Sequence, residues 1–100
     1  MNIEKLKKQA EAGGAEAQVN LGTMYDIGEG VEQSYEKAVK WFTKSANQGN
    51  VDAQFNLGEM YEKGQGVKQD NKKAIEWYTK AAEQGDVHAQ KILKENLQSS

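Results

Sequence analysis

At one hundred residues, with 28% charged and 37% apolar, the chain has the length of one small domain and little material for a thick core. All thirteen basic residues are lysine and the net charge is -2, so there is no global basic field and no bidentate arginine for phosphate backbones or base edges. The absence of cysteine excludes disulfides, a thiol nucleophile and thiolate metal sites.

The first element is a helix over about 3–12, with Ile3, Leu6 and Ala10 on one side. Its opening, Met-Asn-Ile-Glu-Lys-Leu-Lys-Lys, has no apolar core long enough for a signal peptide, and no later segment is apolar enough to insert in a membrane. The chain as written reads as cytoplasmic, or as periplasmic or secreted if a leader has been removed from a longer parent. Gly13 ends this helix, and a second is expected over 15–27, where Ala17, Leu21, Met24 and Tyr25 make an apolar stripe. Gly22 lies inside it, where glycine costs about 0.8–1.0 kcal/mol relative to alanine; a close approach of another helix explains its presence. Gly28 ends the second helix. Ser34 is placed to cap a third, over 35–48, with Ala38, Val39, Trp41, Phe42, Ser45 and Ala46 on its inner side.

From here the pattern returns. Ala17-Gln18-Val19-Asn20-Leu21-Gly22-Thr23-Met24-Tyr25 reappears as Ala53-Gln54-Phe55-Asn56-Leu57-Gly58-Glu59-Met60-Tyr61, and the match runs on through Trp41/Trp77 and Gly49/Gly85. More than half of the aligned positions are identical, which marks a tandem repeat. Asn50 caps a fourth helix over 51–63, Asp70 a fifth over 71–84 and Asp86 a sixth over 87–97. The ends are half-repeats. Ile3, Leu6 and Ala10 take the slots of Val39, Phe42 and Ala46, with Lys5 in the tryptophan slot, and Lys94 takes the place of Gly22 and Gly58. The expected organisation is a cap over 1–14, repeats over 15–50 and 51–86, and a cap over 87–100. Stacked antiparallel hairpins of this kind make an all-α solenoid with a right-handed superhelical course.

The pattern Ala-x₃-Leu-Gly-x-Met-Tyr-x₂-Gly-x-Gly-Val, then Lys-Ala-x₂-Trp, then Ala-x₂-Gly resembles the SEL-1-like repeat, a relative of the tetratricopeptide repeat. The resemblance covers essentially the whole chain. It implies an adaptor or scaffold that assembles protein complexes, frequently in bacteria. The cysteine-rich branch of that family pairs the helices of each repeat by a disulfide; this chain has no cysteine to do so.

Several motifs invite chemistry. Ser34-Tyr35-Glu36-Lys37 matches Ser-x-x-Lys, and the cysteine-rich branch is associated with β-lactams, so a β-lactam-binding or hydrolytic enzyme is the alternative reading. The second copy reads Asp70-Asn71-Lys72-Lys73, which keeps a cap oxygen and discards the nucleophile, and neither Ser-Asp-Asn nor Lys-Thr-Gly occurs. Gly28-x-Gly30 and Gly64-x-Gly66 lack the strand and third glycine of a dinucleotide fingerprint and read as turns. His88 is the one histidine, so neither a histidine-pair metal site nor a Ser-His-Asp triad can form. No cofactor is expected, and Trp41 and Trp77 read as packing residues.

What is left is the inner surface of the curve, lined by the first helix of each repeat. Glu16, Val19, Asn20, Thr23 and Asp26 should face it from one repeat, and Asp52, Phe55, Asn56, Glu59 and Glu62 from the next. His88, Lys91 and Ile92 follow from the cap helix. Val19 and Phe55 are expected as an exposed apolar pair within a polar rim, and Asn20 and Asn56 as donors to a peptide backbone. The reading is a protein or peptide partner with a neutral or basic segment, and no nucleic acid.

Overall fold

The computed structural model describes residues 3–99, with side chains described as far as Asn96. Among the described residues there are six helices and no strand: α1 (Ile3–Glu11), α2 (Ala15–Ile27), α3 (Tyr35–Asn47), α4 (Val51–Lys63), α5 (Asn71–Glu83) and α6 (Val87–Ser99). Every helix begins and ends within two residues of its expected position. Each helix packs chiefly on the next, and the resulting stack is elongated, 45 × 24 × 18 Å. This is an all-α solenoid built from helix hairpins.

The local signals act as the sequence suggests. The Ser34 hydroxyl accepts from the amide of Lys37 at 3.2 Å, the Asp70 carboxylate from Lys73 at 3.1 Å, and the Asn50 side chain from Ala53 at 2.9 Å. Each satisfies an amide that the first turn leaves without a helical partner. Gly28 and Gly64 close α2 and α4 in the left-handed region, at φ 72° and 70°, each donating its amide to a methionine carbonyl one turn back. The second glycine of the Gly-x-Gly loop has a different task. A Cβ on Gly66 would lie 2.5 Å from the carbonyl oxygen of Tyr35, so this loop presses on the start of α3 in the preceding repeat.

The core is a seam of small and large residues meeting between layers. Leu21 and Leu57 are fully enclosed in one cluster with Ala38, Phe42 and Ala46 of α3, while Ala74, Tyr78 and Ala81 of α5 form a second cluster with Ala89 of α6. Burying a leucine this completely is worth roughly 1.5–3 kcal/mol. Trp41 is buried at 8% exposure, as a packing residue should be, whereas its counterpart Trp77 is only half-buried against the core. Among the described residues only α6 follows α5 in the stack.

Successive repeats are also tied by glutamines. The Gln18 amide donates to the Ala10 carbonyl at 3.0 Å, and Gln54 to Ala46 and Gln90 to Ala82 repeat that contact one and two units later. Gln48 then bridges back, donating to the Gly13 carbonyl and to Gln18 Oε1, both at 2.8 Å. Gln84 does the same to Gly49 and Gln54. In the first repeat Ser45 adds a bond to the Ala15 carbonyl at 2.7 Å; Ala81 has replaced it in the second. Buried carbonyls at the helix ends are thereby satisfied, and the angle between hairpins is fixed by hydrogen bonds as well as by packing.

Candidate functional site

The first helices of the repeats, α2 and α4, lie side by side with the start of α6, and a cavity of about 290 Å³ opens between them. Glu16, Val19, Asn20 and Thr23 line it from α2, Asp52, Phe55 and Asn56 from α4, Asp86 from the end of the second repeat and His88 from α6. Helical spacing explains the grouping: positions 16, 19, 20 and 23 fall on one face, and a 36-residue period brings 52, 55 and 56 alongside.

The floor of this groove differs from the expected exposed apolar pair. Val19 is 5% exposed and belongs to the core, so only the edge of its side chain borders the cavity. Phe55 is half-buried, its ring centroid 5.4 Å from that of Tyr78 and 6.2 Å from that of His88. The larger ring reaches across to α5 and α6 and wedges there, which the smaller valine on α2 cannot do. Phe55 is therefore a partly structural residue that also presents an aromatic edge to the groove.

Above that floor stand polar groups with few internal obligations. Among the described residues, the side-chain amides of Asn20 and Asn56 make no hydrogen bond within the chain. The Thr23 hydroxyl is committed to the Val19 carbonyl at 3.0 Å. Glu16 meets only the amide of Asn50, at 3.4 Å. Asp86, read from the sequence as a helix cap, also lines the groove; Asn50, one period earlier, meets Glu16 at 3.4 Å but does not line the cavity, so no simple positional rule finds Asp86.

Asp26, Glu59, Glu62 and Lys91 do not line this cavity. Glu59 is half-buried and pairs with Lys63 at 3.9 Å. Burial holds its carboxyl above the ordinary value of 4.5, Lys63 opposes that, and Glu62 and Asp26 reinforce it. These acids thus feel one another as an anionic cluster at the far end of the groove. Glu62 turns towards α5 and accepts from the Tyr78 hydroxyl at 2.7 Å; burial and this bond push the phenol well up. A second cavity of about 240 Å³ lies there, bordered by Glu62, Tyr78, Ile75 and Asn96 among others. Lys91 is exposed on α6, and Ile92 is half-buried against the Tyr78 cluster.

Ser34 has the contacts of a helix cap: it accepts from the Lys37 amide, and the Lys37 ammonium lies 5.5 Å over the Tyr25 ring, its charge directed at an aromatic face. Among the described residues no group of three or more histidines, aspartates or glutamates is placed to hold a metal ion, and no helix is long and apolar enough to cross a membrane.

Residues 15–50 and 51–86 each match the family model described as Sel1 repeat. The fold is similar to a Sel1 repeat protein from Oxalobacter formigenes, with a TM-score of 0.91 and 43% identity over 93% of this chain and 70% of that one. It is also similar to c5321, a protective antigen of uropathogenic Escherichia coli with an SLR fold, at a TM-score of 0.86 and 43% identity; 88% of this chain corresponds to 19% of that much longer one. Helicobacter pylori cysteine rich protein B gives a TM-score of 0.85 and 27% identity over 92% of this chain and 72% of that one. A search of the curated proteins finds no match.

Proposed function

The chain belongs to the Sel1 repeat family, whose members are generally protein-interaction scaffolds, and from that premise we propose that its concave groove holds a peptide or helix of a partner protein. In this reading α1 and α6 serve as cap helices flanking the two matched repeats. The observation that carries the proposal is the pairing of Asn20 with Asn56. Two amides without internal partners, one repeat apart in sequence, line the same groove as Phe55 and are available to the backbone groups of a chain laid there. A partner segment of neutral or basic character suits the surrounding carboxylates, and the same charge disfavours a nucleic-acid backbone.

The experiment is a footprint. A partner captured from the native host is titrated into isotope-labelled chain, and amide shifts are followed. Shifts centred on Asn20, Thr23 and Asn56 support groove binding. Shifts confined to the outer helices, around Lys40 and Lys44, overturn it.

A further inference from the structure

We infer, resting on the groove reading above, that the groove seats one aromatic side chain of the partner against Phe55 and His88, and that His88 determines this preference for a ring.

The two repeats share the residues that build the stack and part company in the groove. One repeat position reads Val19, Phe55 and Lys91 along the chain, and another reads Glu16, Asp52 and His88. Both rings therefore enter at positions where the first repeat has none. The fold then sets them together. Phe55 comes from α4 and His88 from the first turn of α6, with ring centroids 6.2 Å apart and planes tilted by 56°. On its other side Phe55 meets Tyr78 at 5.4 Å and 50°. Tyr78 is enclosed, Phe55 half-buried and His88 exposed, so a row of tilted rings leads from the core out to the groove. Among the described residues the His88 imidazole makes no hydrogen bond within the chain, and its one specific contact is the Phe55 ring.

The cavity that both residues line holds about 290 Å³. Small-molecule pockets span roughly 300–1,000 Å³, so this one suits a single large side chain better than a cofactor. Its lining favours an apolar guest beside Phe55 and the edge of Val19, because the Thr23 hydroxyl is already given to the Val19 carbonyl at 3.0 Å. A leucine would fill that space. A ring also extends the existing row, since aromatic pairs prefer tilted or offset arrangements with centroids about 4.5–7 Å apart, the range of both pairs present. The amides of Asn20 and Asn56, which border the same cavity, are then left for the backbone of the seated segment.

The test is a display library of random nine-residue peptides selected on the full chain, followed by calorimetric titration of one synthesised binder. Tryptophan, tyrosine or phenylalanine should be enriched at one position, and replacing it by leucine should weaken binding about fivefold, by alanine about thirtyfold. His88→Ala should melt with the parent, weaken the aromatic peptide about fivefold and leave the leucine peptide nearly unchanged. His88→Phe, which keeps a ring without the imidazole nitrogens, should restore the affinity. An aromatic peptide that ignores His88→Ala, or that binds His88→Phe no better than His88→Ala, overturns the inference. So do binders that shift Asn20 and Asn56 with an aliphatic or basic anchor in place of a ring; these leave the groove reading standing. Binders that shift only the outer helices, or a selection that yields none, overturn both.

Discussion

The ring of Phe42 occupies the space that a side chain at position 22 would need: a Cβ on Gly22 would lie 2.7 Å from its Cδ1 and 2.8 Å from its Cε1. The second repeat reproduces the arrangement, with a Cβ on Gly58 falling 2.8 Å from two atoms of the Tyr78 ring. Both rings are buried and backed by core, so neither can retreat. Gly22→Ala gains about 1 kcal/mol of helix propensity and meets an overpacking cost of about 1–3 kcal/mol, giving a net loss. Gly22→Leu should cost more still. Urea denaturation of both variants checks this, and a Gly22→Ala protein more stable than the parent would remove the close-packing account.

Trp41 and Trp77 are equivalent by sequence and unequal in the fold. Trp41→Ala removes a buried ring and should cost roughly 3–5 kcal/mol, a large share of the stability of so small a stack. Trp77→Ala removes one that is already half in water and should cost distinctly less. Equal melting temperatures for the two variants would contradict the packing described.

The repeat, the side chains that cap α3, α4 and α5, and the two embedded glycines were legible because each depends on local spacing or on backbone conformation. The glutamines were visible as recurring letters, yet their role was not, because Gln48 reaches back 35 residues to Gly13 and no local pattern encodes that. The burial of Val19 was hidden for a related reason. Its position one step off the apolar stripe suggests the groove, but its side chain is enclosed in the core cluster, a tertiary outcome that spacing along one helix does not encode.

Gln48 makes two bonds that alanine cannot replace, to the Gly13 carbonyl and to Gln18 Oε1. Gln48→Ala also strips a partner from the buried Gln18 side chain, so a loss of about 1–3 kcal/mol is expected. Combining it with Gln18→Ala should cost less than the two changes summed, since they share one bond. A double-mutant cycle by chemical denaturation measures this directly, and strict additivity would separate the two residues.

Glu59 gives the fold a pH dependence whose sign follows from its environment. Its carboxyl is raised in the folded chain, with burial the main cause. Below the ordinary value of 4.5 both folded and unfolded chains hold the proton and no penalty arises. As pH rises through the raised folded value, the unfolded chain ionises more readily and stability falls. Glu59→Gln should therefore raise the urea midpoint at pH 7 and lose that advantage at pH 3.5. The exposed pair with Lys63 contributes too little to reverse the sign.

Phe55 and Asn20 separate the two duties of the groove. The Phe55 ring touches Tyr78 and His88, so Phe55→Ala should lower stability by about 1–3 kcal/mol as well as weaken partner binding. Asn20 is exposed and holds no internal hydrogen bond, so Asn20→Ala should leave the melting temperature within a degree or two of the parent. Any loss of affinity in that variant then belongs to the contact itself, roughly 1 kcal/mol for one neutral hydrogen bond. Asn56→Ala should behave alike, and the double variant should lose about the sum if the two amides act on separate groups of one peptide. Calorimetric titration of a bound segment against the four proteins, each first checked by thermal melting, decides the matter. Asparagine variants that melt normally and bind as tightly as the parent would show that the amide pair takes no part, whatever Phe55→Ala does.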